Sequence, residues 1–258
     1  MEFASLLLPL PILAAVVAVT LVASFVKGAV GFAMPMIMMS GLASVMPPDR
    51  ALATLIIPTL LANLWQILRG GLPQARAVLR DFWRYIAVVL VCIAVFAQLL
   101  TSLPPGVVYL VLGVPIVAFS LVQIVGWKPR IAPGARWAAD IGIGLLAGLM
   151  GGLSGVWGPP TVLYLLAIDA PKKSAISVQG VVYGAGSVVL LLSHLRSGVL
   201  NADSVPLSAA MVLPMVAGLW VGQLVQDRLD QRRFRRAMLF VLVIVGLNLV
   251  RRGLADLG

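Results

Sequence analysis

Apolar residues run along the chain in stretches of about twenty, the length of one helical bilayer crossing, separated by short clusters of proline, glycine and basic residues. The stretches lie near 4–26, 28–46, 51–68, 84–102, 106–126, 137–150, 153–169, 174–195, 205–226 and 236–250. Each is rich in Leu, Val, Ile and Ala and lacks period-two alternation of polar positions, which favours helices over barrel strands. The breaks are PPDR at 47–50, RGGLPQAR at 69–76, LPPG at 103–106, WKPR at 127–130 and DRLDQRRFRR at 227–236. The pattern predicts an all-α integral membrane protein, a single membrane domain over 1–258 with about 8–10 transmembrane segments, some of them broken or re-entrant.

Composition removes the alternatives. Of 258 residues, 61% are hydrophobic and only 11% charged, about half the charge of a soluble domain. The formal net charge of +10 would point to nucleic acid in a soluble protein. Here the basic residues sit in short loops between apolar stretches, so nucleic acid is not expected and the lipid bilayer is the partner. The single cysteine, Cys92, lies in an apolar run and leaves no basis for a disulfide framework or a thiolate metal cluster; no metal or cofactor is expected. Glu2 and the absence of a basic leader make the first stretch a membrane segment rather than a cleaved signal.

Two junctions lack a loop: Lys27-Gly28 and Gly151-Gly152. The stretch 137–150 before the second is about 21 Å of helix at 1.5 Å per residue, short of a core about 30 Å thick. A turn is therefore expected inside the membrane, where irregular backbone survives only against protein or a wet cavity. Both junctions also belong to an internal repeat. A shift of 124 residues superposes Gly28 on Gly152, Gly31 on Gly155, Pro35 on Pro159, Pro47 on Pro171 and Ala51 on Ala175. The window 22–63 against 146–187 contains eight identities in 42 pairs. The repeats are read as 1–126 and 137–258. Placing 69–84 in the cytoplasm and alternating sides puts fifteen Lys and Arg inside and four outside, with both termini outside and the two repeats inverted, as in many secondary transporters. Arg251 and Arg252 fall on the wrong side of that scheme.

The duplicated Gly-x-x-Gly-x-x-x-Pro is the first candidate site. Gly28 and Gly31, with Gly152, Ser154 and Gly155, offer broken helices whose free N–H groups suit an anion; the alternative is that small residues merely let helices pack. Asn63 and Gln66 follow the first block, and Gln179, Tyr183 and Ser187 share one helix face after the second. These polar groups either line a site or join helices. Gln98 and Gln223 align at a shift of 125 and are read as packing. Lys27 could meet an anion or snorkel to the inner interface. Asp140 and His194 are the coupling candidates; the plainer readings are an Arg136–Asp140 pair one turn apart and an interfacial histidine. The four residues Gly152-Leu153-Ser154-Gly155 also match the GxSG of intramembrane serine proteases, with His194 as a conceivable base, so a protease is kept as an unlikely alternative and no catalytic residue is assigned.

The blocks VKGAVGFAMPMIM and GLMGGLSGVWGPPTVLYLL, Pro-x-x-x-Ala after each, and Arg-x-Gly closing each third segment resemble the sulfite exporter TauE/SafE family of sulfite/sulfonate permeases. The first block departs from it at Ala33-Met34, where two glycines are common. The resemblance implies a multi-pass transporter in the cell membrane, a bacterial inner membrane most readily, for small sulfur-containing or carboxylated anions, driven by protons. The expectation is a secondary transporter of a small anion with the proton as coupling ion and no enzymatic activity; a passive anion channel is the main rival. Substrate, direction and oligomeric state are not read from the sequence.

Overall fold

The computed structural model describes residues 9–127, 130–226, 228 and 230–258. The start of the first stretch lies outside the described residues, as do Lys128 and the side chains of Lys172, Lys173, Arg232, Arg233 and Arg235, which the charge count above includes.

The chain is a sequence of helices: α1 Leu10–Val30, α2 Met34–Leu42, α3 Pro48–Gly70, α4 Leu72–Phe96, α5 Pro105–Val125, α6 Arg136–Ser154, α7 Gly158–Ala167, α8 Lys172–Arg196, α9 Val205–Ala210, α10 Val212–Val225 and α11 Gln231–Leu257. Eight spans among the described residues are long and apolar enough to cross a membrane, with α9 and α10 together forming one. The helices α2 and α7, of 9 and 10 residues, are about 14–15 Å long and cannot cross. Ten apolar stretches thus resolve into eight spans and two half-helices.

The breaks do not fall where the stretch lengths placed them. The 137–150 stretch is not a short helix, because α6 runs 19 residues, through Gly151-Gly152 to Ser154. The glycine pair continues the helix and the stop comes at Gly155, in the left-handed conformation at φ 70, whose N–H bonds Gly151 O at 2.7 Å. Gly31 ends α1 in the same way, at φ 86, with its N–H on Lys27 O at 2.7 Å. Glycine meets no Cβ clash there. Proline then occupies the second position of each short helix, Pro35 in α2 and Pro159 in α7, where no N–H is required.

The first glycine of each block has a different task. A Cβ on Gly28 would meet Leu219 O and Gly222, and a Cβ on Gly152 would lie 2.8 Å from Ala97 N and Ile93 O. The backbones of α1 and α10, and of α6 and α4, touch at these points. Each pair runs parallel: Ser24 sits against Gly218 and Gly28 against Gly222, while Gly148 sits against Cys92 and Gly152 against Ala97. The motif therefore reads contact, stop, restart.

Between these pairs, α3 and α8 cross antiparallel, with Asn63 on Ser187 and Ile67 on Gly184. The helices α5 and α11 also run antiparallel, through Gly106 on Gly253 and Gly113 on Gly246. Trp65, Trp83, Trp127, Trp137 and Trp220 are exposed, all near helix ends on the side that carries Arg69, Arg76, Arg80 and Arg84. Such a belt marks a lipid–water interface. That side also holds the first part of α4, which is helical where the basic cluster suggested a loop; it kinks into the span at Phe82, φ −123 and ψ 16. The misplaced Arg252 has a structural role. Its guanidinium donates to Ala43 O at the end of α2 and sits 4.9 Å from the Tyr109 ring centroid, a cation at a helix C-terminus.

Candidate functional site

Lys27 sits in the last turn of α1 with 3% of its surface exposed. Its Nζ donates to Asn63 Oδ1 at 2.5 Å and Gln66 Oε1 at 3.0 Å, both on α3. Among the described residues no carboxylate pairs with it. Asn63 is itself held by its other end: Nδ2 donates to Ser187 Oγ at 2.7 Å and Tyr183 O at 3.3 Å, and Ser187 Oγ donates to Tyr183 O at 2.6 Å. The carboxamide is thereby oriented with its oxygen toward the ammonium. A buried ammonium with neutral partners only is costly unless a negative group completes the arrangement.

Lys27 stands at the head of a cavity of about 280 Å³ that opens at the end of the bundle carrying Arg69 and the α3–α4 turn. Among the described residues the polar lining comprises two cations, Lys27 and Arg69, four carboxamides, Gln66, Gln74, Gln223 and Gln226, and Ser177, with no carboxylate. Trp65, Ile176 and Leu219 supply apolar wall. Such a lining can accept a small anion with a short apolar part and disfavours a cation.

The structure sorts the residues singled out by sequence. Gly28, Gly31 and Gln66 line this cavity, and Asn63 stands behind Lys27. Gln179 is half-buried and does not line it. Tyr183 contributes its backbone oxygen to Asn63; its hydroxyl is buried without a hydrogen-bond partner among the described residues, beside a small void of about 20 Å³ bordered by Phe32, Trp157 and Gly158. Gly152, Ser154 and Gly155 are in packed protein, not on the cavity. Ser154 Oγ donates to Met150 O at 2.5 Å and accepts from Val156 N at 3.3 Å, while Gly155 is surrounded by Leu52, Leu55 and Leu190.

The expected helix-terminus chemistry also differs. The cavity borders the C-terminal end of α1, and the N-termini of α2 and α7 carry proline where N–H groups would be needed. The positive charge on this cavity comes from side-chain cations, Lys27 and Arg69, and not from a helix N-terminus. His194 is buried, with Nε2 3.0 Å from Gly152 O and Nδ1 3.1 Å from Ser197 Oγ; it does not reach Ser154, so no serine–histidine dyad forms. Asp140 is not paired with Arg136 but accepts a hydrogen bond from the Tyr164 hydroxyl. Gln98 is a packing residue as read, donating to Ser193 O at 3.1 Å, but Gln223 is on the cavity wall.

Lys27 and Gln223 are the residues that sequence reasoning undervalued. The available signal was asymmetry: Lys27 stands where its mate at the repeat offset is Gly151, a charge that the fold itself does not need twice.

Eight spans around two interrupted-helix junctions, with a basic cavity running in from one face, define a polytopic α-helical membrane protein of the transporter class. The model of the sulfite exporter TauE/SafE family matches residues 16–249, and the chain belongs to that family: it is a multi-pass membrane transporter. No curated protein and no solved structure matches the chain.

Proposed function

We propose that the protein is a proton-coupled secondary transporter of a small anion of the sulfite, organosulfonate or carboxylate class, working in a bacterial inner membrane. In this reading residues 1–126 and 137–258 are inverted repeats, and the anion binds Lys27 in a cavity open to the cytoplasm. The observation that carries the reading is Lys27 itself, a buried ammonium held by two carboxamide oxygens with no carboxylate partner among the described residues. An anion of the size of a sulfonate replaces the missing counter-charge, while Gln66, Gln74 and Gln223 offer amide donors around it. Arg69 at the mouth raises the local anion concentration.

Purified protein in proteoliposomes tests this with sulfite, sulfoacetate, taurine and simple carboxylates, with and without a pH gradient. Lys27→Gln keeps the cavity and removes the charge. A hydrogen bond to a charged group contributes about 1.5–3 kcal/mol, so affinity should fall on the order of 10- to 150-fold. Unchanged binding in Lys27→Gln overturns the site. Flux that only follows the anion's own gradient would make the protein a passive channel.

A further inference from the structure

We infer that Asp140, together with Tyr164, forms the proton-binding site of this transporter, separate from the anion cavity and acting on the half-helix α7; the inference rests on the transport reading above.

Asp140 lies one turn into the span formed by α6, with 7% of its surface exposed. An ionisable group at such a position is retained only with a partner or a purpose. Arg136 forms no direct ion pair with it: the guanidinium lies over the Phe82 ring, 5.1 Å from the centroid, and reaches the Tyr164 hydroxyl, so it joins the cluster through that tyrosine. The carboxylate instead accepts the Tyr164 hydroxyl of α7. Tyr164 stacks on Tyr85 of α4 with centroids 4.5 Å apart and an interplanar angle of 4°. The Tyr85 hydroxyl lies 2.8 Å from Thr161 Oγ1, which donates to Trp157 O at 2.7 Å, at the start of α7. Since the threonine proton is committed to Trp157, Tyr85 is the donor to Thr161.

A polar column thus ties the middle turn of α7, through Thr161 and Tyr164, to α4 and α6. The titratable and charged groups around Asp140 are Tyr164 of α7, Tyr85 of α4 and Arg136 of α6, with Arg84 and Arg130 on the exposed rim at that end. One carboxylate and one hydroxyl are too few oxygens for a metal cation, and no group of three His, Cys, Asp or Glu forms a metal site among the described residues.

The chemistry is a simple proton balance. A proton from water at the rim adds to a free lone pair of the Asp140 carboxylate and gives a neutral carboxyl, while Tyr164 keeps its own hydroxyl proton. A charge-assisted hydrogen bond becomes a neutral one, roughly half as strong, and the hold of α6 on α7 loosens. From the start of α7 the contact continues to the anion site: the Trp157 and Tyr183 rings are 6.4 Å apart, and Tyr183 O accepts Asn63, which holds Lys27.

Two measurements separate this site from the transport reading. Infrared difference spectra of the reconstituted protein between acid and alkaline buffer should contain a carboxyl C=O band that Asp140→Asn removes and Tyr164→Phe shifts; Lys27→Gln should leave it in place. In proteoliposomes, Asp140→Asn should still exchange anion across equal pools but lose at least tenfold of the accumulation driven by a pH gradient. Tyr164→Phe, which keeps the carboxylate and every buried ring, should lower coupling less and serves if Asp140→Asn fails to insert. Retention of pH-driven accumulation in Asp140→Asn, a band indifferent to that substitution, or accumulation driven by a sodium gradient overturns the inference. If the wild type moves no anion at all, the transport reading falls, while the infrared band still reports whether Asp140 takes the proton.

Discussion

Asn63 and Ser187 are hydrogen-bonded at 2.7 Å and lie 124 residues apart in the chain, the same offset that superposes the two glycine junctions. On the proposed reading of 1–126 and 137–258 as inverted repeats these two residues are mates, and α3 and α8 run antiparallel at this point. The symmetry stops at the next neighbour. Asn63 turns its oxygen to Lys27, whereas Ser187 returns its proton to Tyr183 O. The mate of Lys27, Gly151, lies under the Trp157 ring and Ile93. One half therefore builds a charged cavity and the other fills the equivalent space with apolar side chains.

Replacing Asn63 by Asp should abolish the site by supplying it with a counter-ion. The new carboxylate would sit on the Lys27 ammonium in nearly the same shape. Anion affinity is expected to fall more than tenfold while the purified protein stays folded, which isothermal titration and a thermal melt of the same sample can check. Tighter anion binding in Asn63→Asp would count against Lys27 as the anion's partner.

The two glycines of one block should differ in their tolerance of alanine. At Gly28 and Gly152 a methyl group meets the backbone of a neighbouring helix, which cannot move aside, and overpacking of this kind costs about 1–3 kcal/mol. At Gly31 nothing lies within 4 Å of the added carbon, and only the left-handed φ of 86 opposes it, about 1–2 kcal/mol. Melting temperatures in detergent should therefore drop further for Gly28→Ala and Gly152→Ala than for Gly31→Ala.

Ser154→Ala should leave anion binding within about twofold of wild type, because its hydroxyl serves Met150 O and Val156 N away from the cavity. A hydroxyl of this kind contributes about 0.5–1.5 kcal/mol to stability, so a modest loss of melting temperature is the expected effect. Complete loss of function with an intact fold would reopen a role for Ser154 in chemistry.

Arg252→Leu removes the cation at the end of α2 and its stack on Tyr109. A charge at a helix terminus and an exposed cation–π contact each contribute about 0.3–1 kcal/mol. The variant should melt earlier by an amount consistent with 1–2 kcal/mol, and transport should fall less than it does in Lys27→Gln. An unchanged melt would show that the contact does not stabilise α2.

Sidedness follows from labelling single cysteines in a Cys92→Ala background. Positions 76 and 198 should react from opposite sides, 76 from the cytoplasm. Reaction of both from one side would replace the inverted arrangement with a parallel one.

The sequence by itself determined the solvent, the helices, the offset of 124 and the positions of the two junctions. These properties are local: apolar run length sets a span, and a glycine or proline limits the backbone wherever it stands. It also picked out Gly28, Gly31, Asn63 and Gln66, since polar or flexible residues in lipid need a reason. Tertiary structure decided the rest. Gly151 and Gly152 look like a turn in sequence, yet they continue α6, because α4 lies close enough to require the missing side chains. Lys27 reads as an interfacial lysine until α3 brings Asn63 and Gln66 to it across a separation of 36 and 39 residues. Ser154 reads as a free donor until its own helix takes the proton. Whether a polar group serves a ligand or the fold depends on which partners reach it first, and those partners come from helices distant in sequence.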